Sequence, residues 1–393
     1  MNQQTPGQTL LPAQRALFDI PEDVAYLNNA YMGPMPKLAV EAGEAGMRAK
    51  LHPWTIAPVD FFTESEAVRG LFARLVNATA EDIALVPSVS YGMAVAANIL
   101  PLRAGQTVIA LAEQFPSNVY PWIELAKKTG AAFVTIPRPA DDDWTARVLE
   151  HIDARTGIVA LPHCHWTDGG LLDLVAIGAA CRKVGAALCI DATQSLGVMP
   201  FDVAAIQPDF LVAGGYKWLL GPYTYGYLYV APRWQDGAPI EQNWIARQES
   251  ENFAGLVDYK AAYQPGARRF DVGERSNFAL TPAAKASLEY LIGLGTQRIY
   301  ATLKTRNDRI AERAKAELGL DTVRADRRAG HYLGLRFGDA KFSNGGPTEL
   351  PGKLAAQKVF VSVRGKAMRV TPHVYNTDAD IERLFAVLKT ALR

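Results

Sequence analysis

Lys217 stands in AGGYKWLLGPYTYGYLYV (residues 213–230), just past the apolar strand pattern FLVAGG and on a turn rich in glycine and aromatic residues. Shortly before it, AALCIDATQSLG (residues 186–197) reads as a buried strand that ends in an acid, Asp191. A lysine held on such a turn is poorly solvated, which lowers its pKa and suits it to imine chemistry with a carbonyl. An acid delivered by the neighbouring strand is placed to keep a pyridine nitrogen protonated. Taken singly, each residue also has a plain reading, a solvated surface lysine and a turn-forming aspartate. Together, in this order, they are the minimum equipment for pyridoxal phosphate (PLP), a cofactor that carries the chemistry while the protein tunes it.

Other segments add to the pair. SVSYGM (residues 88–93) lies between a strand pattern and a helix expected to begin near Ser90. A helix N-terminus offers unsatisfied N–H groups and partial positive charge to a phosphate, so Ser88, Val89 and Ser90 are candidate phosphate contacts, although Ser90 also suits a simple cap. In EQFPSNVYPW (residues 113–122), Phe115 at a strand end is placed to lie flat on a pyridine ring, with ordinary core packing as its alternative. LPHCHWTDGG (residues 161–170) sets His163, His165, Trp166 and Asp168 in one turn. No third metal ligand is evident there, so His165 is expected to face the substrate or the cofactor and no metal is expected. Arg369, inside the strand pattern AMRV, needs an anionic partner, because burying its charge unpaired is expensive; a substrate carboxylate or an internal salt bridge would serve.

The elements that must position these residues are legible as well. DIALVPS, TVIALAE, AAFVTIP, GIVALPH, AALCIDA, FLVAGG and YGYLYVA read as strands, and SYGMAVAANIL, NVYPWIELAKK, DWTARVLEHI and LLDLVAIGAACRKVG as helices between them. The alternation predicts an α/β fold with a mainly parallel seven-stranded sheet covered on both faces, whose ligands bind at the carboxyl ends of the strands. A long helix is expected from Thr281 to about Leu318, then strands in HYLGLRF, VFVSVRG and AMRVTPH and a closing helix in DADIERLFAVLKTAL, a small C-terminal α+β domain. The expected division is an N-terminal segment (1–60) at the site entrance, a large domain (61–275) and a small domain (276–393), with an exposed loop over residues 339–353.

Composition limits the function classes. The 393 residues are 49% hydrophobic with a net charge of +1, which points to no nucleic-acid or membrane-surface partner. No apolar run is long enough to span a bilayer, MNQQTPGQTLLPAQR lacks the apolar stretch of a signal peptide, and the three cysteines form no metal or disulfide framework, so a cytoplasmic protein is expected.

With these residues assembled, the chain resembles the class V aminotransferase family of fold-type-I PLP enzymes, which includes cysteine desulfurases, kynureninases and isopenicillin N epimerase-like proteins. The resemblance runs from YLNNAYMGPMP (residues 26–36) to AMRVTPHVYNTDADIERL (residues 367–384). It implies that Lys217 carries the cofactor, Asp191 pairs with its ring nitrogen, Gln194 contacts its phenolic oxygen, and Tyr216 joins Ser90 on its phosphate. Phe115 becomes the ring-stacking residue, Arg369 the carboxylate-binding arginine, and Tyr31 and Trp166 further substrate contacts. GERSNF (residues 273–278) looks like the segment that crosses a dimer interface, so a homodimer with shared sites is implied, in which Ser276 and Asn277 reach the partner's phosphate. Two departures stand out: Gly214 occupies the place of the desulfurases' phosphate-binding serine, and VFVSVRGKAMRV holds no cysteine where they carry the catalytic one.

The implied reaction begins with an amino-acid substrate gripped by Arg369 and deprotonated at Cα by Lys217, with Asp191 and His165 completing the catalytic set. β-Elimination or C–S lysis is the favoured outcome, with transamination and epimerisation as alternatives. A nucleotide-dependent dehydrogenase lacks its glycine fingerprint here, and an idle PLP-binding protein is opposed by the retention of Lys217, Asp191 and Arg369 together.

Overall fold

The computed structural model describes residues 9–337 and 348–392. In chain order the elements are β1 (Ala25–Tyr26), α1 (Lys37–Ala49), α2 (Asp60–Val76), β2 (Ile83–Val86), α3 (Val89–Ile99), β3 (Thr107–Leu111), α4 (Tyr120–Thr129), β4 (Ala132–Ile136), α5 (Trp144–His151), β5 (Thr156–Pro162), α6 (Leu174–Val184), β6 (Ala187–Asp191), α7 (Val203–Ile206), β7 (Phe210–Gly214) and β8 (Gly226–Val230). There follow α8 (Leu280–Leu294), α9 (Thr296–Leu318), β9 (Leu333–Arg336), α10 (Leu350–Ala356), β10 (Val359–Phe360), β11 (Ser362–Arg364), β12 (Ala367–Val370) and α11 (Asp378–Ala391).

The seven strands expected from the sequence form one sheet in the order β2-β8-β7-β6-β5-β3-β4. β8 runs antiparallel to both its neighbours and the remaining pairs are parallel. The fully buried runs of β5, β6 and β7 explain their unbroken apolar sequences, since helices cover both faces. Caps fix the covering helices. Asp173 accepts from the N–H groups of Val175 and Ala176 at the start of α6, and Gly185 ends it in a left-handed turn at φ +76°. Consecutive strands step to opposite sides of β5, so the carboxyl ends of β3, β5, β6 and β7 open on one crevice.

Two expectations are corrected. The long helix from Thr281 is two helices, α8 and α9, because Gly295 sits between them at φ +82° and interrupts the hydrogen-bond ladder. VFVSVRG is likewise two strands. β10 pairs in parallel with the N-terminal β1, while β11 turns into a three-stranded antiparallel sheet, β11-β12-β9. Ala25 and Leu27 therefore share a core with Leu333, Val359, Met368 and Leu384, which ties the chain's beginning to its end. The loop expected over residues 339–353 falls largely outside the described residues. Among the described residues no helix is long and apolar enough to cross a membrane.

Behind the sheet's crevice three histidines are buried, His163 edge-on to Phe201 and the other two against Trp218. His331 and His373 pack on its indole at 4.6 and 5.7 Å between ring centroids. Burial lowers the pKa of His163 to about 3, of His331 to about 4 and of His373 to about 3. All three fold as neutral rings and ionise in the unfolded chain at about pH 6.5. Protons therefore favour the unfolded state, and stability present above about pH 6.5 is lost as pH falls toward the folded values. Urea unfolding between pH 7.5 and 5 should show this loss, with a slope approaching about 1.4 kcal/mol per pH unit for each histidine below about pH 6. A stability flat across that range would contradict the neutral burial.

Candidate active site

The crevice holds a cavity of about 350 Å³, whose walls come from the segments following β2, β3, β5, β6 and β7. Lys217 enters it from the turn after β7 and is only 6% exposed. Its Nζ lies 5.2 Å from the centroid of the Phe115 ring and 5.3 Å from that of Tyr216. Among the described residues it makes no salt bridge, so burial dominates and brings its pKa down to about 8, Asp191 opposing and Arg369 and Arg364 assisting.

The turn that carries Lys217 is held from outside. Leu220 and Thr224 adopt left-handed backbone at φ 54° and 65°, a conformation that costs a non-glycine residue about 1–3 kcal/mol. Gly33 N–H donates to the Tyr216 carbonyl at 2.9 Å, and the Ser287 hydroxyl donates to that of Leu220 at 2.9 Å. The N-terminal segment packs so closely that a Cβ on Gly33 would lie 2.2 Å from the Lys217 carbonyl oxygen. Two distant parts of the chain thus clamp one strained turn.

Asp191 closes β6 and lines the same cavity. Thr193 N–H donates to it at 3.0 Å, yet burial outweighs that bond and raises its pKa. At the cavity's other end, α3 begins at Val89 with Ser88 as its cap, accepting from Tyr91 N–H at 3.2 Å. The cap is Ser88 and not Ser90, because the helix starts one residue earlier than the sequence suggested. Ser90 contacts the Ser88 hydroxyl at 2.9 Å, and the N–H groups of Val89 and Ser90 have no helical carbonyl to serve. Tyr216 borders this end; a Cβ on Gly214 would lie 3.0 Å from its ring, so the tyrosine fills the space a serine side chain would need.

Phe115 stands edge-on to Trp166 at 5.4 Å and 82°, and the Trp166 indole N–H donates to the Glu113 carbonyl at 2.5 Å. Gln194 lines the cavity with its amide engaged, donating to the Ala30 carbonyl at 3.1 Å and accepting from Trp218 Nε1 at 2.8 Å. Thr193, Gln114 and Tyr223 also line it and were not singled out in the sequence. Tyr223 had a signal, the aromatic turn GPYTYGY, whereas Gln114 and Thr193 had none beyond adjacency to Phe115 and Asp191.

Four expected residues lie elsewhere. His165 is fully buried and does not line the cavity: Nδ1 meets Thr167 Oγ1 at 2.7 Å, Nε2 meets the Ala112 carbonyl at 3.1 Å, and the ring stacks on Trp144 at 5.2 Å. Its expected place facing the substrate is corrected, because the helix α5 indole draws the ring under the strand ends. Ser276 donates to the Phe61 carbonyl and Asn277 Oδ1 accepts from the N–H groups of Ala279 and Leu280, so neither borders this chain's own cavity. Tyr31 is 53% exposed on the N-terminal segment, outside the cavity wall.

Arg369 lies beside the cavity, past Trp166, at 2% exposure. Its Nε donates to Ser362 Oγ at 2.8 Å, with longer contacts of 3.4 Å to the Trp166 carbonyl and the Tyr332 hydroxyl. The other buried arginines, Arg69, Arg275 and Arg328, each face a carboxylate; Arg369 meets none among the described residues. The internal salt bridge that the sequence left open is therefore absent there.

These residues fit PLP. A protonated ring nitrogen would relieve the buried Asp191, Phe115 presents its ring beside Lys217, and the start of α3 suits a phosphate. Because Lys217 Nζ ionises near pH 8, its reactivity in cofactor-free protein is expected to rise with pH to a midpoint near 8. Pulse labelling with an amine-selective reagent, read by peptide mapping, checks this; a midpoint at about 10.4, the ordinary lysine value, would contradict it.

Residues 57–319 match the class-V aminotransferase family. The uncharacterized aminotransferase YcbU of Bacillus subtilis is 30% identical over 321 residues, covering 81% of each chain. A kynureninase of Deinococcus radiodurans is 30% identical over 301 residues, 73% of this chain and 71% of its own. Among solved structures, the apo cysteine desulfurase of Thermococcus onnurineus NA1 superposes with a TM-score of 0.83 over 96% of this chain and 97% of its own, at 21% identity. The mainly parallel fold, the lysine turn and the sequence match converge: the chain belongs to the class-V aminotransferase family.

Proposed function

We propose that this protein is a PLP-dependent enzyme that takes a proton from Cα of an amino acid and transfers the amino group. The observation that carries the reading is Lys217, a buried amine without a salt bridge among the described residues, its pKa near 8, beside Phe115 in the cavity that Asp191 also lines. PLP bound there would supply a carbonyl carbon to which amines add and a ring that accepts electrons. Lys217 would hold it covalently, Phe115 and Asp191 would fix its ring, and Ser88, Val89, Ser90 and Tyr216 would receive its phosphate.

The protein's own residues do the rest. Arg369 grips the substrate carboxylate through the guanidinium N–H groups that Ser362 leaves open, which orients Cα. Trp166 and Phe115 keep that side of the cavity apolar and limit water. Lys217 Nζ, substantially neutral near pH 8, takes the Cα proton and can deliver it elsewhere on the same face. Retention of one mobile proton carrier favours amino-group transfer. Elimination would need an acid to protonate the departing group, and His165, the residue expected for that task, has both ring nitrogens engaged away from the cavity. A relative named an aminotransferase supports amino-group transfer. The cysteine thiols do not support a persulfide: all three cysteines are buried, and burial pushes each thiol pKa upward.

The same reading pairs two copies, with Ser276 and Asn277 of each directed to the other's phosphate end; the exposed Asn277 and the exposed Met47 and Trp54 support it. Incubation of holoenzyme with an amino-acid panel and a 2-oxo acid acceptor should yield a new amino acid without ammonia. Release of ammonia with a keto acid in the absence of acceptor would instead establish elimination. Arg369→Gln should lower kcat/KM by roughly tenfold to a hundredfold, the worth of a hydrogen-bonded charge contact.

A further inference from the structure

Arg364 is a second arginine on the same sheet face as Arg369. β11 and β12 pair antiparallel with Ser362 opposite Arg369 and Arg364 opposite Ala367. Side chains two apart on a strand share a face, so Ser362, Arg364 and Arg369 project together. Both guanidinium carbons lie 5.8 Å from the ring of Trp166, the residue that walls the cavity. Among the described residues Arg364 forms no salt bridge, and its guanidinium donates to the adjacent Val363 carbonyl at 2.7 Å.

The local charge does not balance. Arg364 and Arg369 both disfavour protonation of Lys217, and Arg364 has its pKa lowered by burial and then by Arg369. Among the described residues Asp191 is the one carboxylate lining the cavity, and in the reading above it is committed to the cofactor's ring nitrogen. One substrate α-carboxylate on Arg369 would leave Arg364 still uncompensated. Arg369 is buried and Arg364 partly so, and with no acid paired to either among the described residues each would gain from an anionic partner.

We infer that the substrate is an amino acid with a second anionic group, a dicarboxylic amino acid, whose side-chain carboxylate pairs with Arg364 while Arg369 holds the α-carboxylate. This deepens the proposed function and rests on it. Arg364 is then the specificity-determining residue of the site, and the β11–β12 hairpin, with its tight turn at Gly365 (φ +54°), fixes the spacing between the two anion sites.

The test uses the holoenzyme and two readouts. Calorimetric titration with glutarate and succinate should give binding at least about tenfold tighter than butyrate and propionate, because each charge-assisted contact is worth about a factor of ten or more. Arg364→Gln should bring the dicarboxylates down to the monocarboxylates, whereas Arg369→Gln should weaken both classes. In turnover, Arg364→Gln should lower the ratio of kcat/KM for dicarboxylic over neutral amino acids by about tenfold or more, with the cofactor spectrum and thermal midpoint showing that the variant is folded. Equal affinity for the two ligand classes in the unmodified enzyme, or an unchanged ratio in a folded Arg364→Gln, would overturn the inference and leave the amino-acid reading intact. If no amino acid of any class alters the cofactor spectrum, the reading itself falls and this inference with it.

Discussion

A buried lysine with no salt bridge among the described residues is the constraint on which the site depends. Lys217 is withdrawn from water on a turn whose backbone is strained at Leu220 and Thr224, and burial is the largest influence lowering its pKa, with Asp191 opposing and Arg369 and Arg364 adding to it. Such a residue persists only if the surroundings over-determine it. Gly33 and Ser287, from segments well before and well after the turn in sequence, bond to the turn's carbonyls and supply that determination. The N-terminal segment is thus part of the machinery although it brings no catalytic group, and its own place is fixed by β1 pairing with β10 and by Asn28 bonding to Ser362, next to Arg369.

The same wiring joins the two halves of the site. Asp168 beneath the strand ends accepts from Arg138 at 2.7 Å and from Arg336 of β9 at 2.6 Å. β9 is the neighbour of β12, which carries Arg369. The large sheet therefore presents the lysine and acid, the three-stranded sheet presents the arginines, and a mostly buried carboxylate links them. Removing one member of such a network leaves a buried charge unpaired, so its integrity bears on site geometry more than its net contribution to stability suggests.

Much of this was legible in the sequence, and for stated reasons. The apolar runs of the seven strands, each ended by a polar or small residue, fixed both their number and which ends faced ligand. Asp191, Lys217, Phe115 and the start of α3 then had to converge, because parallel strands place their carboxyl ends on one edge. What was not legible depended on partners distant in sequence. His165 sits at the right strand end, but its ring direction is decided by Trp144 on α5 and by the Ala112 carbonyl. The division of VFVSVRG was hidden because its second partner, β1, is a two-residue strand with no periodicity to detect. Arg364 was passed over because the sequence shows its hairpin but not that, among the described residues, no acid pairs with it.

The central claim is a covalent one, and it is tested most directly by reducing the PLP-loaded protein with borohydride, digesting it and mapping the modified peptide by mass spectrometry. The account predicts a single phosphopyridoxyl label, on the peptide containing Lys217. A label on another lysine, or a reduced protein that carries none, would contradict it.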